Sequence, residues 1–246
     1  MLNIAALALI LLLLITHDAR AELLRMSYAG AINNMFIGDC TTPEQSDCNF
    51  DIINVNSSDF FEGNLISIDD TFSGSFIIDS NSDFVLAGDD LRQAIFRNLL
   101  SDFSLQLAGL NIPRNELPPV SNSFGNSVSI VDDRMSVGRT IDLFQSSQQF
   151  SSDKWFAGTN VTLIDNSASV YDSFSIPNTV EFTDYDAGLF GFFFLERASR
   201  DQLQIRGDIT TLSYERIMQV NSPAMIYLIL FITTILICLK RGREDV

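Results

Sequence analysis

Hydrophobic and polar positions alternate along much of this chain, and the alternation gives way to long unbroken apolar runs towards its two ends and to a shorter one at Gly188 to Leu195. Between Leu65 and Asp79, Phe72, Gly74 and Phe76 share one parity while Ser73 and Ser75 hold the other. A period of two puts alternate side chains on opposite faces of a half-buried strand. The same pattern predicts strands at Met26 to Ile32, Phe50 to Val55, Ser127 to Val131, Thr140 to Phe144, Asn160 to Ile164, Thr179 to Phe182, Gly188 to Leu195 and Gln202 to Arg206. One segment follows a different period. Leu91, Ile95 and Leu99 recur at i, i+4 and i+8 behind Asp89 and Asp90, which predicts a helix over Asp89 to Leu100 lying on a sheet edge. Asp39 to Asn64 reads as a long excursion, Ile112-Pro113 to Pro118-Pro119 breaks the chain, and Ser121 to Gly125 is a loop. Many short strands joined by Asn, Asp, Ser and Gly predict an all-β class. The expected architecture is a single β-sandwich domain of jelly-roll type over residues 22–219.

The two ends obey other rules. From Ala224 to Leu239 run sixteen residues without a charge, interrupted only by Thr233, Thr234 and Cys238. As a helix they would reach roughly 24 Å, a little short of an average bilayer's hydrocarbon core. A buried core helix would carry a polar stripe, which is missing, so a transmembrane helix over 224–239 is expected. The basic cluster Lys240, Arg241 and Arg243 would stay on the cytoplasmic side and leave the body of the chain outside it. At the other end, Ile4 to Ile15 is an apolar run of twelve, followed by Ala19-Arg20-Ala21. This is the small-x-small pattern of a signal-peptidase site, and predicts a signal peptide over residues 1–21.

Val220-Asn221-Ser222-Pro223, the brief apolar span and the basic end form a tripartite order. That order resembles the PEP-CTERM protein-sorting signal of exopolysaccharide-producing Gram-negative bacteria, with Val220 and Pro223 in the places of the motif's first valine and last proline. Within the body, Tyr28, Gly30 and Ile32, then Asp70 to Phe76 with Asp79, are similar to that family's opening strands. Asp102 to Gly109 and Gly207 to Leu212 are similar to two of its later ones. The resemblance implies a sorting signal over residues 220–246 that an exosortase, a membrane cysteine protease, reads and cuts. It further implies a transient stay in the inner membrane and a final place at the cell surface or outside the cell. A stably anchored single-pass surface receptor is the alternative.

Charge and residue counts narrow the chemistry. Between Glu22 and Ser222 eleven basic residues face 28 acidic ones, so the exported part would carry a net charge of −17. Such a surface repels nucleic-acid phosphates and suits cations and hydrated polymers, exopolysaccharide among them. The only histidine, His17, lies in the expected signal peptide. Hydrolases that need a histidine base and zinc sites built on imidazole are thereby excluded from the exported part. A glycosidase needs only two suitably spaced carboxylates, so a polysaccharide-active enzyme remains as a rival reading. With Cys238 in the span, Cys40 and Cys48 are left as an even pair in an oxidising compartment, expected to close a small loop as a disulfide.

Asp79-Ser80-Asn81-Ser82-Asp83 has the alternating spacing that lets oxygens converge on calcium, and Asp90 falls at the twelfth position. Asp79, Asn81, Asp83 and Asp90 are therefore candidate calcium ligands, although Phe84 stands where a calcium loop has glycine and a plain turn accounts for the same residues. Asp132-Asp133, Asp69-Asp70 and Asp184-Tyr185-Asp186 are weaker candidates of the same kind. Phe190, Phe192, Phe193 and Phe194 must face both sides of a strand, as covered core or as a platform for sugar rings, and Trp155 offers the same choice. Arg206-Gly207-Asp208 copies an adhesion tripeptide, and Asn56 and Asn160 open glycosylation sequons relevant only to a eukaryotic secretory pathway. These features together predict an exported, non-catalytic structural or adhesive protein with no obligatory cofactor.

Overall fold

A computed structural model describes residues 23–41, 50–79, 83–87, 92–97, 100–113, 118–120, 126–136, 138–177 and 179–217. The expected signal peptide with Ala19 and Ala21, the expected sorting motif Val220, Asn221, Ser222 and Pro223, the expected span, and Lys240, Arg241 and Arg243 all lie outside these residues. Among the described residues, no helix is long and apolar enough to cross a membrane.

Among the described residues, fourteen strands follow one another: β1 (Leu23–Cys40), β2 (Phe50–Asn54), β3 (Ser57–Ser58), β4 (Ile66–Ser67), β5 (Thr71–Asp79), β6 (Phe84–Ala87), β7 (Gln93–Arg97), β8 (Leu100–Leu107), β9 (Leu110–Ile112), β10 (Asn126–Ser136), β11 (Arg139–Ser151), β12 (Trp155–Asp165), β13 (Ala187–Glu196) and β14 (Gln202–Ile217). Twelve of them form one antiparallel sheet in the order β6-β7-β10-β11-β12-β13-β14-β1-β5-β8-β9, with β2 added to β1. β3 and β4 pair separately. From β10 to β14 the strands are neighbours in sequence and in space, and β14 then lies against β1.

The alternation seen in the sequence becomes an inner and an outer face. Leu24, Met26, Tyr28 and Ile32 of β1, Phe144 and Phe150 of β11, and Phe190, Phe192 and Phe194 of β13 are all buried. Phe72 of β5 stacks on Phe190 with centroids 4.1 Å apart and planes 16° from parallel. Two strands, β14 and β1, separate β5 from β13 along the sheet. Rings that distant in the ladder can meet face to face only because the sheet curls and packs its inner surface on itself. Phe61, in the turn between β3 and β4, adds a further stack on Phe194 at 4.2 Å. Burying each such ring contributes about 1.5–3 kcal/mol.

The curl brings β8 to β10. The side-chain amide of Asn126 accepts from the Leu100 N–H and donates to the Leu100 carbonyl, both at 2.7 Å. One asparagine thus serves both backbone groups of a residue at the point where the roll nearly closes. Glycine makes the curl possible on the opposite side. A Cβ at Gly30 would meet the Phe72 ring at 2.5 Å, and so would one at Gly207, so both strand backbones pass directly under that ring.

Several expectations are corrected. The all-β class is as the pattern predicts, and the main body of described strands is one continuous antiparallel sheet that packs its inner surface on itself. The segment expected as a helix over Asp89 to Leu100 supplies β7 and the start of β8. Ala94 and Phe96 point inward from β7 while Ile95 does not, and the strand pairs with β10 on one side and β6 on the other. Ladder pairing on both edges overrides a three-residue helical repeat. Thr179 to Phe182 forms no strand: its described residues lead into a single 3-10 turn at Phe182–Asp184. There Phe182 lies over Gly188, where a Cβ would meet its ring at 2.7 Å. Gln202 to Arg206 and Gly207 to Leu212 belong to one strand, β14.

Candidate functional site

On β12, β13 and β14 the inward parity is taken mainly by apolar side chains, with Thr159 and Asp165 the buried polar exceptions on β12, so the opposite parity builds an outer surface of a different character. Backbone register sets this surface out in cross-strand rows. Thr162 pairs with Leu189 and Leu189 with Asp208; Asn160 pairs with Gly191 and Gly191 with Arg206; Gly158 pairs with Phe193 and Phe193 with Gln204. Residues directly opposite one another on a sheet face are within reach of one another. Gly191 is what hollows the middle row: without a Cβ it leaves room for the Asn160 amide to lie across it. Phe193 covers Gly158 in the next row.

The result is a groove of about 810 Å³, bounded on the β1 side by Asn33 and Asn34. Its polar lining is mainly amide and hydroxyl, from Asn160, Thr162, Gln202 and Gln204, with one guanidinium from Arg206 and one carboxylate from Asp208. Arg206 is held over the Phe36 ring, its guanidinium carbon 5.1 Å from the centroid. Leu189 and the outward Phe193 supply apolar surface. Primary amides carry both donors and acceptors, and so match the mixed donor and acceptor hydroxyls of a polyol. Asp208 is the single carboxylate among the described lining residues, so two-carboxylate glycoside hydrolysis is not assembled here.

A second polar constellation lies where β10 is irregular. The β10–β11 register shifts between Val131 and Arg134, leaving Asp132 and Asp133 in a bulge, with Asp133 at φ 51°. A bulge re-aims side chains, and here it turns two carboxylates towards Asp142 of β11. One oxygen from each of the three lies within 4.8 Å of the others. Asp142 is fully buried and held from three directions. Its Oδ1 accepts from the Asp133 N–H at 2.9 Å, and its Oδ2 from the Val170 and Tyr171 N–H groups at 3.0 and 2.7 Å. Asp132 is 8% exposed, and its Oδ1 is buried without a hydrogen-bond partner. Burial, then the Asp133 and Asp142 charges, push its carboxyl above the ordinary carboxylate range, against the pull of Arg92.

The adjoining Asp165 shows the opposite balance. Burial works against its charge, but the hydroxyls and N–H groups of Ser167 and Ser169 hold its carboxyl below the ordinary range. Beside it the Tyr171 and Tyr185 hydroxyls are 2.5 Å apart. Burial raises both phenols, that of Tyr185 up to about 12.

Asp79 ends β5 and Asp83 stands exposed before β6, while Asn81 and Asp90 lie outside the described residues. Cys40 ends β1, its N–H donating to the Asp201 carboxylate at 2.7 Å, and Cys48 is outside the described residues. Trp155 is core: it packs edge-on against Phe61 at 5.1 Å, and its indole N–H donates to Glu62 at 3.3 Å. Arg206 and Asp208 are exposed on a strand with Gly207 buried between them. The groove was missed although its signal was present, namely a polar residue at every second position from 202 to 208. The Asp132-Asp133 pair was noticed without its partner, because Asp142 is ten residues away and only the register brings it close.

Comparison with protein-family models gives no match. Comparison with curated proteins gives none either.

Proposed function

We propose that this chain is an exported, non-catalytic component of the cell surface or exopolysaccharide matrix, which adheres to hydrated polysaccharide through the groove across β12, β13 and β14. The observation that carries the reading is the amide-rich lining of that groove, with its single guanidinium and single carboxylate. Neutral hydrogen-bonding side chains on a rigid sheet hold a hydrated polymer without expelling charge from water. The apolar run after Met1, the motif at Val220 to Pro223 and the span before Lys240 supply the export route, with the inner membrane as a way-station and an exosortase as the processing partner. A disulfide between Cys40 and Cys48 belongs to the same proposal. Cys40 pairs in register with Phe50, two residues beyond Cys48, so the chain returns to β1 where a short bridge needs it.

The test is retention of full-length protein on immobilised polysaccharides, neutral and uronic-acid types alike, together with an assay for released reducing ends. The expected result is saturable retention without cleavage, weakened about tenfold by Arg206→Ala, since a hydrogen bond to a charged group is worth about 1.5–3 kcal/mol. Release of reducing ends would favour the enzyme reading. Retention indifferent to Arg206→Ala would remove the groove from the proposal.

A further inference from the structure

The bulge in β10 shares no residue with the groove and calls for its own explanation. A buried carboxylate oxygen without a donor is costly unless something positive meets it. Asp132 Oδ1 is such an oxygen, and one oxygen of the same carboxylate lies within 4.8 Å of one each from Asp133 and Asp142. We infer that Asp132, Asp133 and Asp142 bind one divalent cation of the calcium type, which ties the β10 bulge to β11 and to the segment that Asp142 anchors at Val170 and Tyr171.

Spacing, donor chemistry, ordering, access and charge all support the assignment. Two oxygens sharing a calcium at about 2.3–2.6 Å can be no more than about 5 Å apart, and the three oxygens here already lie within 4.8 Å of one another. Magnesium, at about 2.0–2.1 Å, would demand a tighter set. The donors are hard carboxylate oxygens only, the chemistry that selects such ions over zinc or copper. Asp142 is locked by three N–H donors, so the ion has little left to order at that ligand. Asp133 is exposed, which leaves a side from which water completes the six to eight ligands that calcium takes. The charges facing Asp132 are Asp133 and Asp142, Asp172, and a single cation, Arg92, whose Nη1 is 3.8 Å from Asp133. Negative charge is therefore in excess at the site.

The inference is independent of the polysaccharide groove and is tested without any glycan. Full-length protein in detergent is stripped with a chelator and titrated with calcium chloride by calorimetry, and with terbium by luminescence excited through tyrosine. Tyr171, whose N–H bonds Asp142, stands close enough to serve as an antenna. The expected result is one saturable site per chain, at least tenfold weaker in Asp132→Asn and unchanged in Asp83→Asn. Should Asp132→Asn fail to fold, Asp133→Asn, whose side chain is about half exposed, carries the same expectation. The inference is overturned by wild-type protein without saturable calcium binding. It is equally overturned if the Asp132 and Asp133 variants bind like wild type, or if Asp83→Asn is the change that abolishes binding.

Discussion

Replacing Gly207 by alanine tests the curled sheet at its tightest point. An added Cβ would lie 2.5 Å from Phe72 Cε1, 2.6 Å from the Ala31 carbonyl oxygen and 3.2 Å from its carbon. Ordinary contact begins near 3.4 Å, so neighbours must yield by most of an ångström. Neither is free to do so. The Ala31 oxygen is backbone, and the Phe72 ring is clamped between Phe190, 4.1 Å from it, and Gly30, where a Cβ would also meet it at 2.5 Å. Overpacking of this kind costs about 1–3 kcal/mol. The loss of unfolded-chain freedom on going from glycine to alanine returns only about 0.4–1 kcal/mol. With two collisions, one of them against backbone, the cost falls in the upper half of that range, and the balance is a net destabilisation of about 1–2.6 kcal/mol, or roughly 2–10 °C in Tm for a body of this size. Thermal and urea melts followed by circular dichroism would read it. A double-mutant cycle with Phe72→Leu should show coupling of about 0.5 kcal/mol or more, because the smaller side chain relieves one of the two collisions. A Gly207→Ala protein as stable as wild type, or an additive cycle, would refute the packing of β5 across β14 and β1.

Other outcomes follow from single side chains. Without added cation, Asp132→Asn should raise Tm at neutral pH: the raised carboxyl is penalised when ionised, a cost absent below the ordinary value of 3.8 and complete above the raised one. Wild type should accordingly gain stability relative to this variant as pH falls through that window, measured by melts between pH 4 and 8. Asp165→Asn should act in reverse, since the depressed carboxyl contributes stability above 3.8 that is lost only as pH falls through its folded value. Its melting temperature should therefore drop at neutral pH and converge on wild type in acid. Asn126→Ala strips both partners from the Leu100 backbone, and should cost about 1–3 kcal/mol and speed amide exchange at Leu100. Unchanged exchange there would mean that the roll is held closed by other contacts.

The sequence carried the strands better than it carried their assembly. Alternation located β5, β11, β12 and β13 because burial on one face is a local property of each segment. It misread Asp89 to Leu100 because Leu91, Ile95 and Leu99 make a helical repeat as readily as Ala94 and Phe96 make an inward pair. Only the edges offered by β6 and β10 decide between them. The joining of β14 to β1 brings residues near opposite ends of the body together, and no short-range pattern encodes that. For the same reason the aromatic run divided correctly into core and surface only once register was known, with Phe193 outward and its neighbours Phe192 and Phe194 inward. The bulge at Asp132-Asp133 was visible as a break in alternation, whereas its purpose depended on Asp142 across the ladder. The calcium-like spacing at Asp79 to Asp90 was the more conspicuous pattern in one dimension, and two of its four candidate ligands, Asn81 and Asp90, lie outside the described residues.

The claim on which the functional account rests is that the body of the chain is delivered outside the cytoplasm and released. Intact-mass measurement on protein recovered from its native host, in membrane and secreted fractions, tests this most directly. The account predicts a secreted species that lacks the first 21 residues and everything beyond the region of Pro223. A membrane-bound species that still reaches Val246, with none released, would contradict the sorting signal and make this a single-pass surface protein.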